Sequence, residues 1–280
     1  MDDTDQSLEI KPQSIDPDLL VDAPMSAEDV RALVGLLGRI AGMTEPLLDR
    51  RRALMDELVT LIGARSWMWS TSTGFGPGEV PMTVGYQYGG LTDRQIGMII
   101  EHSQDPDNEP LENGPMSAAL APGKHVTRSR RDLVADDELY ASPQWEMYRK
   151  PIGMDHFLFS LYPVGKYVSA IGVHRPIGAP DFTPRERRMV HVVVSQIDWL
   201  HRVDVPEGDG ERTTDLSPRL RVVFALLLQG WNRKRIAEHL GLTANTVAGY
   251  QKQIYRNFGV SSHPELLVRF VRGDGGDIPG

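Results

Sequence analysis

Polar, cationic and very small side chains share one short stretch near the C-terminus, LTANTVAGYQKQIYRNFGV (residues 242–260). Residues three or four positions apart lie on one face of a helix. In a helix, Val247, Ile254 and Phe258 therefore form an apolar face. The opposite row consists of Asn245, Ala248, Gly249, Lys252 and Arg256. Lysine, arginine and asparagine are side chains that contact phosphates and base edges of DNA, so the row predicts a DNA-contacting surface.

This helix is the third of four that the sequence predicts between residues 216 and 273. Each begins after a capping residue or at a proline, and the first three end at a glycine. The boundary residues are Ser217 with Pro218 and Gly230, Asn232 and Gly241, Thr243 and Gly259, and His263 with Pro264. Two short helices joined by a tight turn that contains glycine predict a helix-turn-helix.

Charge separates this segment from the rest of the chain. Nine basic residues and two acidic ones lie between Ser217 and Arg272, a net charge of +7 in a chain whose total is −8. A basic segment attached to an acidic body favours a polyanion as the partner of that segment alone.

The segment from Leu216 resembles the LuxR-type (FixJ/NarL-like) DNA-binding domain over about 60 residues. The matching residues are Leu216 to Arg219, Gly230, Lys234, Ile236, Ala237, Leu240, Leu242, Thr246, Val247, Ile254, Gly259 to Ser261, Glu265 and Leu266. The resemblance implies a transcriptional regulator that binds double-stranded DNA as a homodimer, with RNA polymerase as a further partner.

The resemblance also implies roles for individual residues. Base-edge contacts fall to Ala248, Gly249 and Lys252, with Gln253 beside them. The phosphate-facing residues are Lys234, Thr243, Asn245, Thr246 and Arg256, and Lys252 belongs to this set as well. The fourth helix would form the dimer contact through Leu266, Leu267 and Phe270.

Three residues depart from the family pattern: Leu220, Ala248 and Tyr250 stand where glutamate, a long basic residue and histidine are common. Gly249 inside a helix costs about 1 kcal/mol relative to alanine. The altered helix could approach the groove closely, with Ala248 against a thymine methyl, or rely on Lys252, Gln253 and DNA shape. The alternative is a protein-interaction module whose helix-turn-helix no longer reads specific DNA, and a sigma-factor-like promoter element is a further rival.

The body before this segment alternates helical and strand patterns. Helices are predicted at 26–41, 45–64, 92–103 and 183–203, and strands at 66–72, 81–90 and within 155–176. A stretch punctuated by proline and glycine, residues 104–124, is predicted to be a loop. This order is typical of an α+β fold with a mainly antiparallel sheet, and it resembles a GAF-type sensor domain.

Sensor domains of this type bind a ligand beside the sheet. Aromatic residues spaced by two share one face of a strand, although such stripes are typical of a core as well as of a ligand cage. The candidate pocket residues are Trp67, Trp69, Tyr86, Tyr88, Trp145, Tyr148 and His156.

Other chemistry finds little support. The chain has no cysteine, which excludes thiol nucleophiles and thiolate metal sites, and its histidines lack metal-ligand spacing. We therefore expect no metal, cofactor, enzymatic activity or membrane contact, and a cytoplasmic location. The predicted organisation is an acidic arm (1–25), a GAF-like sensor domain (26–203), a linker (204–215), a helix-turn-helix domain (216–273) and a tail (274–280).

Overall fold

A computed structural model describes residues 24–73, 81–103, 105–120, 123–201, 216–228 and 230–267. The predicted linker and tail and nearly all of the predicted arm lie outside these residues. Within them, no helix is long and apolar enough to cross a membrane.

The N-terminal part is built on one five-stranded antiparallel sheet with the order β2-β1-β5-β4-β3. The strands are β1 (Ser66–Thr73), β2 (Met82–Gly89), β3 (Val126–Ser129), β4 (Met154–Val164) and β5 (Tyr167–Pro176). The predicted hairpins β1–β2 and β4–β5 are confirmed, and β5 pairs with β1 to join them into one sheet.

Helices surround this sheet and continue into the C-terminal part. Those of the N-terminal part are α1 (Ala27–Gly42), α2 (Leu47–Leu61), α3 (Asp93–Ser103), α4 (Gly114–Leu120), α5 (Asp136–Ala141), α6 (Lys150–Ile152), α7 (Pro184–Ser195) and α8 (Asp198–His201). Those of the C-terminal part are α9 (Pro218–Leu228), α10 (Arg233–His239), α11 (Ala244–Phe258) and α12 (His263–Leu267). An antiparallel sheet with helices, followed by an all-helical segment, agrees with the predicted α+β and all-α classes.

Local capping explains why two of the long helices begin where they do. Ser26 accepts a hydrogen bond from the amide of Asp29, whose carboxylate accepts one from the amide of Ser26. Thr183 and Glu186 make the same reciprocal pair at the start of α7. Such capping boxes satisfy amides that the first turn leaves without partners.

One face of the sheet is covered by α1, α2 and α7. Trp67 and Trp69 are fully buried there, and they pack with Leu54, Val193 and Leu200 in one apolar cluster. Because successive strand residues point to opposite faces, Met68 and Ser70 face the other side of the sheet.

Two predicted boundaries are wrong. Residues 106–120 are not a loop, since two short helical turns, Pro106–Asn108 and Glu109–Asn113, lead into α4. The helix predicted at 183–203 ends at Ser195, and a separate turn follows as α8.

Candidate nucleic-acid interface and sheet-face cavity

The C-terminal helices form a compact unit around α11. Val247, Ile254 and Phe258 are fully buried, and the ring of Phe258 stacks on Phe224 of α9 with centroids 4.7 Å apart. Thr243 caps α11 by accepting from the amide of Thr246 at 3.1 Å. The apolar face predicted from residue spacing is therefore the core face of α11.

The opposite side of α11 is open to solvent. Its exposed residues are Asn245, Gly249, Lys252, Gln253 and Arg256, with Thr243 at the N-cap and with Thr246 and Ala248 half-buried at the flanks. Lys234, in α10, is also exposed and lies 3.9 Å from Glu238. The nine predicted DNA-contacting residues thus lie on the surface of α10, α11 and the turn between them. Their contact with DNA stays a prediction.

Packing does not require the glycine in the middle of α11. A Cβ added at Gly249 would meet no atom within 4 Å, so a larger side chain would fit in the free chain. The small size of Gly249 therefore matters only for a molecule that binds to this face from outside the chain.

The predicted dimer contact needs a correction. Leu266 is fully buried in the core of its own chain, where it packs with α9 and α11. Its side chain is therefore not available to a second copy in this arrangement. Leu267 is half-buried, and Phe270 lies outside the described residues.

A cavity of about 120 Å³ lies against the face of the sheet opposite Trp67 and Trp69. Its walls are largely apolar and include Met68, Ile99 and Met116, together with Phe157 and Phe159. The polar groups that reach it are Ser70, Ser72, Thr83, His102, Ser103, Asn108, Glu112, Asn113, Arg149 and His174. A single water needs only about 10–15 Å³ by the same measure, so the cavity has room for several waters or a small organic molecule.

A buried ion pair dominates the polar side of this cavity. The Arg149 guanidinium donates from Nε to Glu112 Oε1 at 3.1 Å, and its Nη2 bonds both carboxylate oxygens. His102 Nε2 lies 3.3 Å from Glu112 Oε2. Burial raises the pKa of Glu112, but the charges of Arg149 and His102 outweigh it, and the pKa lies well below its usual range. Glu112 is thus a carboxylate anion beside a fixed cation.

None of the seven predicted pocket residues lines this cavity. Trp67 and Trp69 belong to the helix-covered face, and His156 lies beside Asp181 with 3.5 Å between Nδ1 and Oδ1. Tyr86 and Tyr88 pair with Ser70 and Met68 on the cavity side of the sheet, but both pack toward the C-terminal helices.

The remaining two candidates also lie outside the cavity lining. The ring of Tyr148 is tilted against that of His102 with centroids 4.9 Å apart, and Trp145 packs edge-on against Tyr140. Sequence reasoning missed Glu112 because it lies in the stretch interpreted as a loop. It missed Arg149 because no local pattern connects two residues 37 positions apart.

The C-terminal helices dock directly on the sheet domain through α3. Ile96 and Ile100 of α3 are fully buried in one apolar cluster with α9 and Trp231. Charges border this contact: Arg235 pairs with Asp93, and Glu101 lies 3.6 Å from His239 and 3.9 Å from Arg219. Burial raises the pKa of Glu101, while His239 and Arg219 oppose that shift.

The same helix also borders the cavity. Ile99, His102 and Ser103 of α3 line the cavity, whereas Gly97 and Glu101 meet the C-terminal helices. A movement of α3 caused at the cavity would therefore act directly on the contact with the C-terminal helices.

Docking depends on the absence of a side chain at Gly97. A Cβ there would lie 2.5 Å from His239 Nε2 and 3.1 Å from Trp231 Cη2. We expect Gly97→Val to force these two rings away and to lower the free energy of unfolding by about 1–3 kcal/mol, as overpacking does. Amide hydrogen exchange in α3 and α9 should accelerate. Gly38→Val is the control, because a Cβ at Gly38 meets nothing within 4 Å, and exchange as slow in Gly97→Val as in the control would contradict the close contact.

The fold and its exposed helix define a helix-turn-helix protein. Residues 214–270 match the family model of bacterial regulatory proteins of the luxR family, so this segment is a luxR-family helix-turn-helix domain. A probable HTH-type transcriptional regulator, GfsR of Streptomyces halstedii, is 33% identical over 70 residues, which are 25% of this chain. The chain thus spans about 29% of the length of the curated relative that it matches.

Three solved structures are similar over longer stretches. SdiA of Escherichia coli has 13% identity and a TM-score of 0.45, with 86% of this chain and 95% of that chain covered. SdiA in complex with octanoyl-rac-glycerol has 14% identity and a TM-score of 0.44, with coverage of 88% and 96%. The ligand-binding domain of VqsR from Pseudomonas aeruginosa has 10% identity and a TM-score of 0.41, with coverage of 63% and 96%.

Proposed function

We propose that the chain is a one-component, cytoplasmic transcriptional regulator that binds double-stranded DNA through α10 and α11. The observation that carries this proposal is the open, acid-free side of α11 within a luxR-family helix-turn-helix. Helix-turn-helix proteins place such a helix in the major groove, where polar side chains read base edges and cations contact phosphates. The proposed contacts are the nine residues Lys234, Thr243, Asn245, Thr246, Ala248, Gly249, Lys252, Gln253 and Arg256.

The proposed organisation keeps a GAF-like sensor domain at 26–203, a linker at 204–215 and the output domain at 216–273. Pairs of luxR-type domains that read half-sites one turn apart need a homodimer. Since Leu266 is buried, the pairing surface would have to involve other residues, with Leu267 and Phe270 as the remaining candidates on the fourth helix. RNA polymerase is the proposed further partner on DNA.

A small molecule in the sheet-face cavity is the proposed input signal. Ligand pockets are mostly apolar with a few convergent polar groups, and the cavity has this composition. Because α3 lines the cavity and also docks the output domain, a ligand that moves α3 would favour one docking arrangement over another. A ligand shifts such an equilibrium only as far as it binds the two arrangements with different affinity.

The test of DNA binding compares the full-length protein with Lys252→Ala/Arg256→Ala. Enrichment of genomic fragments by the unaltered chain should recover one site related by two-fold symmetry. Loss of two phosphate contacts should lower affinity for that site roughly 60-fold at 0.1 M salt and reduce the salt slope by about 2.

Arg39→Ala/Lys150→Ala is the matched control, because both cations are exposed and far from α11 in the sequence and pair with Glu57 and Glu146. Its DNA affinity should equal that of the unaltered chain. If no specific fragment is recovered, and binding to DNA does not depend on salt, the regulator proposal is wrong and the protein-interaction module takes its place.

A further inference from the structure

A cationic groove runs along one flank of α11 and includes Ala248, Lys252 and Arg256 of the row that the regulator proposal assigns to DNA. It has a volume of about 410 Å³ and lies between α11 and the start of α10. Its lining residues are Arg233, Ala248, Gln251, Lys252, Tyr255, Arg256, Val260 and Ser261. The groove therefore combines three cations with small, amide and hydroxyl groups, and no acidic residue lines it.

The cations of this groove differ from the neighbouring ones. Arg219 and Arg235 lie near acids of α3, and Lys234 lies 3.9 Å from Glu238. By contrast, within the described residues, Arg233 and Lys252 have no carboxylate within 4 Å, and neither does Arg256. Three like charges that line one groove without an acid repel one another in the free protein. An anion that enters the groove relieves this repulsion.

The small residue at the groove wall leaves this space open. Ala248, Gln251 and Tyr255 follow the helical repeat and lie on one flank over two turns of α11. Seven residues of helix span roughly 10 Å, about the axial rise of three phosphates on one strand of B-DNA. Ala248 projects only a methyl group into the groove that Arg233 also lines.

Arg233 is close enough to the opposite wall of the groove to affect the pKa of Tyr255. Burial raises the pKa of the Tyr255 hydroxyl, and the positive charge of Arg233 opposes this shift. The Gln251 amide lies 3.5 Å from the same hydroxyl. These neutral groups can donate hydrogen bonds to an oxyanion without adding negative charge.

We propose that Arg233, with Lys252 and Arg256, binds a backbone phosphate of DNA in this groove, so that α10 supplies a contact that the predicted DNA-binding set did not contain. This inference rests on the proposed DNA-binding function. The contact carries no base information by itself, and it fixes the register of α11 on the duplex. A phosphate bound beside Ala248 holds the middle of α11, where Ala248 and Gly249 have short side chains, at a fixed distance from the base edges.

The test measures binding of the full-length chain to a labelled duplex of about 30 base pairs of mixed sequence, from 0.05 to 0.2 M salt. Arg233→Ala should lower affinity about eightfold at 0.1 M salt and about fourfold at 0.2 M, because one fewer counterion is released. Its salt slope should be smaller by about 1. Arg233→Lys should keep the slope of the unaltered chain, since the charge remains.

Controls separate this contact from folding and from general charge. Arg31→Ala removes one exposed cation from α1 and should change neither affinity nor slope. Thermal melting should be the same for Arg233→Ala and Arg31→Ala. If the unaltered chain binds the duplex and Arg233→Ala binds it with the same slope, the phosphate assignment is overturned while DNA binding stands.

Two further results would also overturn the assignment. A loss in Arg233→Ala at one sequence but not at others would identify a base contact instead. Displacement of the duplex by inorganic phosphate at matched ionic strength would identify a site for free anions. If the unaltered chain binds no duplex at all, the regulator proposal itself fails.

Discussion

Replacing Glu112 by glutamine should lower the free energy of unfolding by about 3–5 kcal/mol, because it leaves the Arg149 cation buried without a counter-charge. Both side chains are almost completely enclosed, with 6% of Glu112 and 8% of Arg149 exposed. The amide keeps the shape of the carboxyl, so packing changes little and the lost charge accounts for the effect. Urea unfolding followed by circular dichroism at pH 7 measures it.

Two variants make this prediction specific. Glu146→Gln breaks the exposed pair with Lys150 in the same region and should cost at most about 1 kcal/mol. Replacing both partners, as Glu112→Leu/Arg149→Met, should be less destabilising than Glu112→Gln alone, since the Arg149 charge is removed together with its partner. A cost for Glu112→Gln no larger than for Glu146→Gln would mean that water in the cavity solvates Arg149.

Mild acid should destabilise the protein through three buried histidines. Burial is the main cause that lowers the pKa of His125 to about 2, and that of His174 and His201 to about 3. Positive or ionisable neighbours act in the same direction: His191 and His201 at His125, Arg149 at His174, and Arg51 at His201.

His201 shows why the neutral form suits the core. Trp69 Nε1 donates to Ser169 Oγ at 2.7 Å, and the Ser169 hydroxyl can in turn donate to His201 Nδ1 at 2.8 Å. His201 Nε2 then donates to the Val194 carbonyl at 2.9 Å. A second proton, on Nδ1, would require Ser169 to accept from both rings and would leave its own hydrogen without this partner.

The direction of the pH effect follows from these values. The folded pKa lies below the unfolded value of about 6.5, so the unfolded chain binds protons first as the pH falls. Stability is therefore complete above about pH 7 and decreases below it, with a slope that approaches about 1.4 kcal/mol per histidine and pH unit once the pH is below the unfolded pKa. From pH 7.5 to 5.5 the three groups together should cost about 4 kcal/mol in the free energy of unfolding.

Denaturant unfolding at the two pH values measures this loss. In His201→Gln the difference between pH 7.5 and 5.5 should shrink by about 1.4 kcal/mol, whatever the variant costs at pH 7.5. An unchanged pH difference in that variant would show that His201 titrates in the folded chain as it does in the unfolded one.

The elements that sequence reasoning placed correctly carry their information locally. Ser26 with Asp29 and Thr183 with Glu186 are capping pairs three residues apart, and the apolar repeat of α11 lies within one helix. Local hydrogen bonds and side-chain period suffice to predict such features. The luxR-type motif was recognisable for the same reason, since its residues form one continuous segment.

The cavity could not be predicted in this way. Strand alternation separates Trp67 and Trp69 from Met68 and Ser70, but it does not say which face the helices cover. The predicted pocket set included Trp67 and Trp69, whose face α1, α2 and α7 fill, and Tyr86 and Tyr88, which lie on the cavity side but do not line the cavity. The polar side of the cavity joins Glu112 to Arg149 across a segment without periodicity, and only tertiary packing brings them together.

The contact made by α3 limits how freely the two halves of the chain can part. Ile96, Ile100 and Trp231 are almost wholly buried in one apolar cluster to which both halves contribute. Separation would hydrate these side chains, each at a cost of up to about 1.5–3 kcal/mol for a large apolar residue. A signal that only separates the halves would therefore expose apolar surface that associates non-specifically, and it would not produce a second defined arrangement. Any second arrangement has to bury the same apolar surface again, against another part of the chain or against a second copy.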